Sequence, residues 1–402
     1  ALVIGSFLRK DHPLFAQRLR QLAKKSGQVS LISVTGDDPL INLHARITVS
    51  PVDLTTALAA VVTAVARIKK AALPAGLESV EPCATSQAIA ESLLAGEKRA
   101  IFLGNVAEQS VQAAQLHVLA SLLASLTGAR FGFIGEAANS VGGHVAKALP
   151  TGLNAYEMFA QPRQAYVLLG VEAELDCYNP QQAVAALKQA ALVVMLTPFK
   201  NQAASDYADV LLPLAPFTET SGSFVNTEGR VQSFNGVCRP LGDARPGWKV
   251  LRVLGNLLAI PGFDYTSSEQ VRDEIVAPET LFVGGLDNGI SDLALTLGTA
   301  SKGLQRIADV PIYFADPLVR HAAALQQTRD AAAPTARMSA ATLAQAGLTD
   351  DSPVRVRQGQ GEALLKAKAD ETVPAGCVRV AAAHVSTAAL GDMFGPIDVE
   401  RA

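Results

Sequence analysis

The chain has 402 residues, 49% of them hydrophobic and 18% charged, with a mean hydropathy of +0.23. This excludes the disordered classes and, at roughly 150 residues per domain, asks for more than one core. Lys and Arg number 34 against 37 Asp and Glu, leaving −3, and no basic run exceeds two residues, so the footprint of a nucleic-acid binder is missing.

In chain order, one pattern recurs three times: an apolar run ending in Gly, a polar loop, an amphipathic stretch and a second apolar run. The first copy predicts strands at 2–4 and 29–34 around a helix from Pro13 to Lys25, with Gly5 at the turn. The chain begins at Ala1 directly inside that first apolar run, which reads as a piece cut from a longer protein. The second copy predicts strands at 101–103 and 131–134, with Gly104 and a long helix from Val111 to Leu126 between them. The third predicts strands at 166–169 and 192–196, with Gly170 and a helix over 180–189. Continuous apolar strands alternating with helical periods indicate a doubly wound α/β body with largely parallel sheets. Between the first two copies, 51–96 reads as a helical excursion interrupted at Pro74-Ala75-Gly76 and packed outside the sheet. From Thr266 to Ser301 the pattern weakens into a Gly-rich connection. Beyond it, alternation at Val354 to Arg357 and turns at Gly359-Gln360-Gly361 and Pro374-Ala375-Gly376 predict short, mostly antiparallel strands and a small β-barrel. The expected domains are a body over 1–300 and a barrel-like domain over 301–402.

The longest apolar stretches, near Leu54–Ala66 and Ala190–Leu196, fall short of the roughly 18 to 20 residues that cross a bilayer, so no direct membrane insertion is expected. Cys83, Cys177, Cys238 and Cys377 form no Cys-x-x-Cys pair, and the six histidines show no metal-ligand spacing, so no metal site is expected. His117 reads as a satisfied helix histidine. No G-x-G-x-x-G follows any of the three strands, and Glu172 after Gly170 would repel an incoming phosphate, so the glycines are read as turn residues. There is no Gly-x-Ser-x-Gly elbow. No catalytic and no cofactor-binding residue is assigned.

The densest polar segment follows a predicted buried strand at Val210-Leu211-Leu212. Asp209, Glu219, Gly222, Asn226, Glu228, Gly229, Arg230 and Gln232 crowd beside Phe224 and Val225, and buried polar groups need hydrogen-bond partners within the loop or on a ligand. The expectation is an internal network, with Arg230 bonded to a carboxylate or to backbone carbonyls of its own loop, and Gly222 and Gly229 supplying the turns. The string Ala208-Asp209-Val210-Leu211-Leu212-Pro213, continued by Glu219-x-x-Gly222-x-Phe224-x-Asn226-x-Glu228-Gly229-Arg230-x-Gln232, resembles the motif of the molybdopterin oxidoreductase superfamily. More narrowly, Gly5-Ser6-x-x-Arg9-x-x-His12-Pro13, Glu136 to Gly142, Arg245 to Val250 and Ala315 to Arg320 resemble the large iron–sulfur subunit of bacterial NADH-quinone oxidoreductase, respiratory complex I.

That resemblance implies a non-catalytic scaffold portion of the subunit. The clusters would lie in an amino-terminal part of the parent subunit and no cofactor in this segment. It implies as partners the other subunits of the peripheral arm of complex I, on the cytoplasmic side of the inner membrane. Two alternatives stand beside it: a fragment of an active molybdopterin-dependent oxidoreductase, and a stand-alone nicotinamide-binding dehydrogenase.

Overall fold

The computed structural model describes residues 1–73, 75–276, 286–290, 293–298 and 303–402. Five parallel strands form the first sheet: β1 (Leu2–Ile4), β2 (Ser30–Ser33), β3 (Ala45–Thr48), β4 (Ala100–Gly104) and β5 (Arg130–Ile134), in the order β3-β2-β1-β4-β5. Both faces are apolar because both are covered. Leu2, Ile4, Ile32, Ile101 and Leu103 face one core, while Val3 and Leu31 face another with Ala16 and Leu19. The latter two lie on α2 (Pro13–Lys24), which follows the short α1 (Leu8–Asp11). Pro13 at the first position of α2 suits a residue whose missing N–H has no helical partner there.

The excursion after β3 is not outside the core. The helix α3 (Leu54–Lys69) buries Leu54, Leu58, Val61, Val62 and Val65 completely and packs with α4 (Ala84–Ala95) and α6 (Ala113–Thr127) on one face of the sheet. With the 3-10 turn before it, this segment spans 19 residues at a mean hydropathy of 1.5, long and apolar enough to cross a membrane by length and composition. Here it is the central core helix, apolar nearly all round because neighbours surround it. A short α5 (Asn105–Glu108) precedes α6, and α7 (Ser140–Val145) follows β5.

The third repeat does not extend this sheet but forms one of its own: β6 (Ala165–Leu169), β7 (Leu192–Thr197) and β8 (Val210–Pro213), all parallel. Around it lie α8 (Ala155–Ala160), α9 (Ala173–Asp176), α10 (Pro180–Gln189) and α11 (Gln202–Ser205). Tyr166, Leu168, Val193 and Met195 pack with Ala183, Ala186 and Leu187 of α10. The strand expected to be buried at Val210 is exposed there. A two-stranded antiparallel hairpin, β9 (Gly222–Val225) and β10 (Val231–Phe234), precedes α12 (Gly247–Leu257). The connection expected over 266–301 contains a helix, α13 (Ser268–Ile275); the rest of that reading lies partly outside the described residues.

Six strands close a barrel in the order β11-β15-β12-β14-β13-β16: β11 (Leu304–Ile307), β12 (Ala336–Met338), β13 (Pro353–Gln358), β14 (Gly361–Ala369), β15 (Cys377–Arg379) and β16 (Phe394–Arg401). Antiparallel β11–β16 pairing completes the circle, and β11–β15 and β12–β14 are its parallel pairs. Closure leaves no free edge. Inward residues such as Val354, Val356, Ala363, Leu365 and Val378 fill it, while Ile307, Cys377 and Phe394 join the core of the first sheet. Burial pushes the Cys377 thiol up to about 12. Two short helices, α14 (Pro317–Arg320) and α15 (Ala323–Gln326), lie between β11 and β12, and α16 (Ala340–Gln345) follows β12.

Candidate functional site

An open α/β sheet binds ligands outside the carboxyl ends of its strands, where the strand order reverses. In the first sheet this point lies between β1 and β4. It is closed by the chain itself. Gly5 has φ +61, and a Cβ on it would stand 2.7 Å from the backbone nitrogen of Ala107. That nitrogen, in the first turn of α5, donates to the Gly5 carbonyl at 3.1 Å. A Cβ on Gly104 would meet Ser6 at 2.4 Å. The glycines therefore serve close packing of one turn on another.

Beside this point, over the ends of β1 and β2 and beneath the barrel, lies a cleft of about 660 Å³. Four cations line it, Arg9, Lys10, Arg337 and Arg379, with four carboxylates, Asp37, Asp38, Asp309 and Asp330. Arg379 donates through Nε and Nη2 to both oxygens of Asp309 at 3.1 Å, and through Nη1 to Asp37 at 2.9 and 3.0 Å. Lys10 also donates to Asp309, at Oδ2. The Arg379 guanidinium also lies 5.3 Å from the Phe7 ring centroid. Burial alone would raise the Asp309 carboxyl, but Arg379 and Lys10 outweigh it and hold the group well below the usual carboxylate range. Arg337 pairs with Asp370 at 2.9 Å. Arg9 has no carboxylate partner among the described residues and donates only to the Asp38 carbonyl, at 3.4 Å. The sequence pattern marks neither Asp309 nor Arg379; they lie about 300 and about 370 residues from Lys10, and no local spacing links them.

On the other side of the switch point, Glu108 and Glu136 face each other at the ends of β4 and β5. Burial, then the neighbouring Glu136, pushes the Glu108 carboxyl up to about 7. His117 is satisfied, its Nε2 lying 2.8 Å from the Asn288 carbonyl oxygen and its ring against Phe131 and Phe133.

A second closed polar centre sits at the end of β6. Glu172 is 1% exposed and accepts from Arg320 Nε at 2.8 Å and Asn201 Nδ2 at 2.9 Å, with His321 Nε2 at 3.0 Å. Arg320 also reaches Asp176 at 2.8 Å, and the His321 ring stacks on Phe199. The acid that sequence reasoning read as a barrier to phosphate is an anchor for the α14 segment.

The eight motif residues do not converge. Asp209 accepts from the Val193 amide at 2.7 Å and so locks the entry of β8 to β7. Glu219 accepts from the Leu241 amide at 3.1 Å. Asn226 organises the turn between β9 and β10: its Oδ1 accepts from the amides of Glu228 at 3.1 Å and Arg230 at 2.9 Å, and Gly229, at φ +79, closes the turn. The expected role of Arg230 is corrected: its guanidinium is exposed, with no hydrogen bond or ion pair among the described residues. Glu228 and Gln232 are exposed too, because a two-stranded hairpin offers its polar side chains to water, not to a core. Gly222 serves a packing contact instead of a turn, since a Cβ there would meet the Phe234 ring at 2.7 Å. Asn139 of the earlier motif, unassigned from sequence, fastens this hairpin by accepting from the Val225 amide at 2.8 Å.

Residues 1–257 match the family model described as molybdopterin oxidoreductase. Among curated proteins, putative formate dehydrogenases of Staphylococcus aureus are similar: one from strain MRSA252 is 38% identical over 78 residues, and one from strain USA300 is 40% identical over 80. Those alignments cover 19% of this chain and 8% of each relative. Among solved structures, acetylene hydratase from Pelobacter acetylenicus superimposes over the whole chain and 78% of its own, with a TM-score of 0.68 and 12% identity, a likeness of fold. With parallel sheets and a closed barrel in place and the family model spanning well over half its length, the chain belongs to the molybdopterin oxidoreductase family.

Proposed function

We propose that this chain is a non-catalytic scaffold: the carboxy-terminal portion of the large iron–sulfur subunit of NADH-quinone oxidoreductase, with a body over 1–300 and a barrel over 301–402. On this reading its neighbours are other subunits of the peripheral arm, on the cytoplasmic side of the inner membrane, and the electron-carrying clusters sit in the amino-terminal part of the subunit. The observation that carries the reading is the charge balance of the cleft. A pterin dinucleotide brings phosphates, which call for uncompensated cations or free helix N-terminal amides. Here Lys10 and Arg379 are bound to Asp309 and Asp37, Arg337 to Asp370, and the Ala107 amide to Gly5. Of the four cations only Arg9 lacks a carboxylate partner among the described residues, and one open cation does not balance the phosphates of such a group; the same closed turn tells against a nicotinamide dinucleotide.

The names of the Staphylococcus relatives favour the rival reading, an active molybdopterin oxidoreductase. Elemental analysis and pterin fluorescence of the purified chain decide between them. The scaffold reading expects molybdenum and pterin far below one per chain; near one per chain, retained through a chelator, would overturn it.

A further inference from the structure

All-parallel sheets are covered by helices on both faces, because their strands are apolar on both sides. The sheet β6-β7-β8 departs from this. The face opposite α10 carries Val167, Leu169, Leu192 and Val210, exposed by 56, 45, 43 and 40%, beside Leu196, which is buried. Among the described residues, the element that reaches it is the start of α12, where a Cβ on Gly247 would lie 3.4 Å from Leu169. The helix then continues the apolar surface, with Val250, Val253, Leu254 and Leu257 at helical spacing and Leu257 80% exposed.

Alongside this stripe is a cleft of about 590 Å³ lined by Arg245, Trp248, Lys249, Arg252 and Tyr265. Its polar groups are nearly all donors. The indole Nε1 of Trp248 and Nε of Arg252 are buried without a hydrogen-bond partner among the described residues, and the Lys249 ammonium lies 5.3 Å from the Trp248 ring centroid. Among the described residues Arg245 donates only to the carbonyls of Gly242 and Ala244, and the Tyr265 hydroxyl is taken by Glu274. Buried donors without acceptors are costly, and here they belong to side chains that line a cavity beside a partly exposed apolar face.

We propose that the open face of this sheet and α12 form the docking surface for an acidic amphipathic helix of another polypeptide. Its apolar stripe would cover Val167, Leu192 and Val210, and its carboxylates would meet the cations that line the cleft, Arg245, Lys249 and Arg252. Charge complementarity selects this occupant. A second copy would bring the same cations against themselves, and a small anion would leave the apolar stripe uncovered. The inference rests on the scaffold reading and names the chemistry of one of its partners.

Trp248 is the single tryptophan of the chain, so its emission reports this site alone. The experiment titrates the full chain with a synthetic Leu/Glu amphipathic helical peptide, with a Leu/Lys peptide of equal length, and with inorganic phosphate and AMP. The expected result is a saturable shift of Trp248 emission by the Leu/Glu peptide alone, weakened at least tenfold by added salt. Lys249→Gln/Arg252→Gln should weaken it about as much through the cleft, and Val167→Glu through the sheet, with circular dichroism confirming the fold of each. An equal response to the Leu/Lys peptide, saturation by phosphate or AMP with none by peptide, self-association seen by light scattering that hides the site, or no response at all would each overturn the proposal. The molybdenum assay above is independent of this readout, so either reading fails without the other.

Discussion

At Asp309 two cations, Lys10 and Arg379, converge on one buried carboxylate. Asp309→Asn should cost about 3 to 5 kcal/mol, because it strands Lys10 and Arg379 in a site they entered as partners. The pH dependence has a definite sign. The folded-state pKa is depressed, so this contribution is present above the unfolded value of about 3.9 and is lost as pH falls through the folded value. Urea unfolding along an acid series should show wild type losing stability there and the variant losing less. Glu108 runs the other way. Its folded pKa is raised to about 7, so its contribution is full below about 4.5 and disappears as pH rises through 7. Glu108→Gln should flatten stability between those limits, and a slope unchanged from wild type would refute the assignment. In the β9–β10 turn, Asn226→Ala should cost about 1 to 2 kcal/mol through two lost side-chain acceptor bonds. Arg230→Ala, exposed and unpartnered among the described residues, should stay within about 0.5 kcal/mol of wild type. Thermal melts of the two variants side by side would reverse this ranking if the guanidinium mattered more.

Among elements, the α14 segment shows how a connection is held in place by polar chemistry. It lies between two barrel strands yet is tied to the end of β6 by Arg320 and His321 on Glu172. Glu172→Ala would leave Arg320 buried beside Asp176 alone and should cost about 3 to 5 kcal/mol. Hydrogen exchange should show protection lost first at 317–326, and a uniform loss across the molecule would contradict this local role. The core helix α3 is held by apolar packing instead. Leu58→Ala there should cost about 2 to 5 kcal/mol, since its neighbours on α4 and α6 cannot close the cavity without moving a whole helical layer. The hairpin β9–β10 is too small to hold itself and relies on α7, where Val141 and Val145 pack on Val225 and Val231.

At the scale of the whole molecule, the barrel both closes itself and caps the first sheet, through Ile307 and Phe394 in the shared core and Asp309 and Arg379 over the strand ends. Much of this was legible in the sequence. Seven of the eight strands of the two parallel sheets, the glycine turns after β1, β4 and β6, and the shift to a barrel all follow from local periodicity, because alternation, apolar runs and turn residues act over a few neighbours. β3 escaped this reading: Ala45-Arg46-Ile47-Thr48 is an edge strand of half-buried residues, with no apolar run to mark it. The placement of the third repeat in a separate sheet, the depth of α3 and the solvent exposure of the Arg230 hairpin were not local properties. A run of apolar residues records that a segment is buried, not which layer covers it. Charge pairing was the least legible of all, since Lys10, Asp37, Asp309 and Arg379 carry no mutual signal until the barrel is laid over the sheet. The sequence by itself therefore determined the elements and the family motif, through forces acting between near neighbours. Only the tertiary structure decided that Lys10, Arg337 and Arg379 of the cleft meet carboxylates and that Val167, Leu192 and Val210 of the second sheet stay exposed, because burial and ion pairing depend on distances that chain order does not encode.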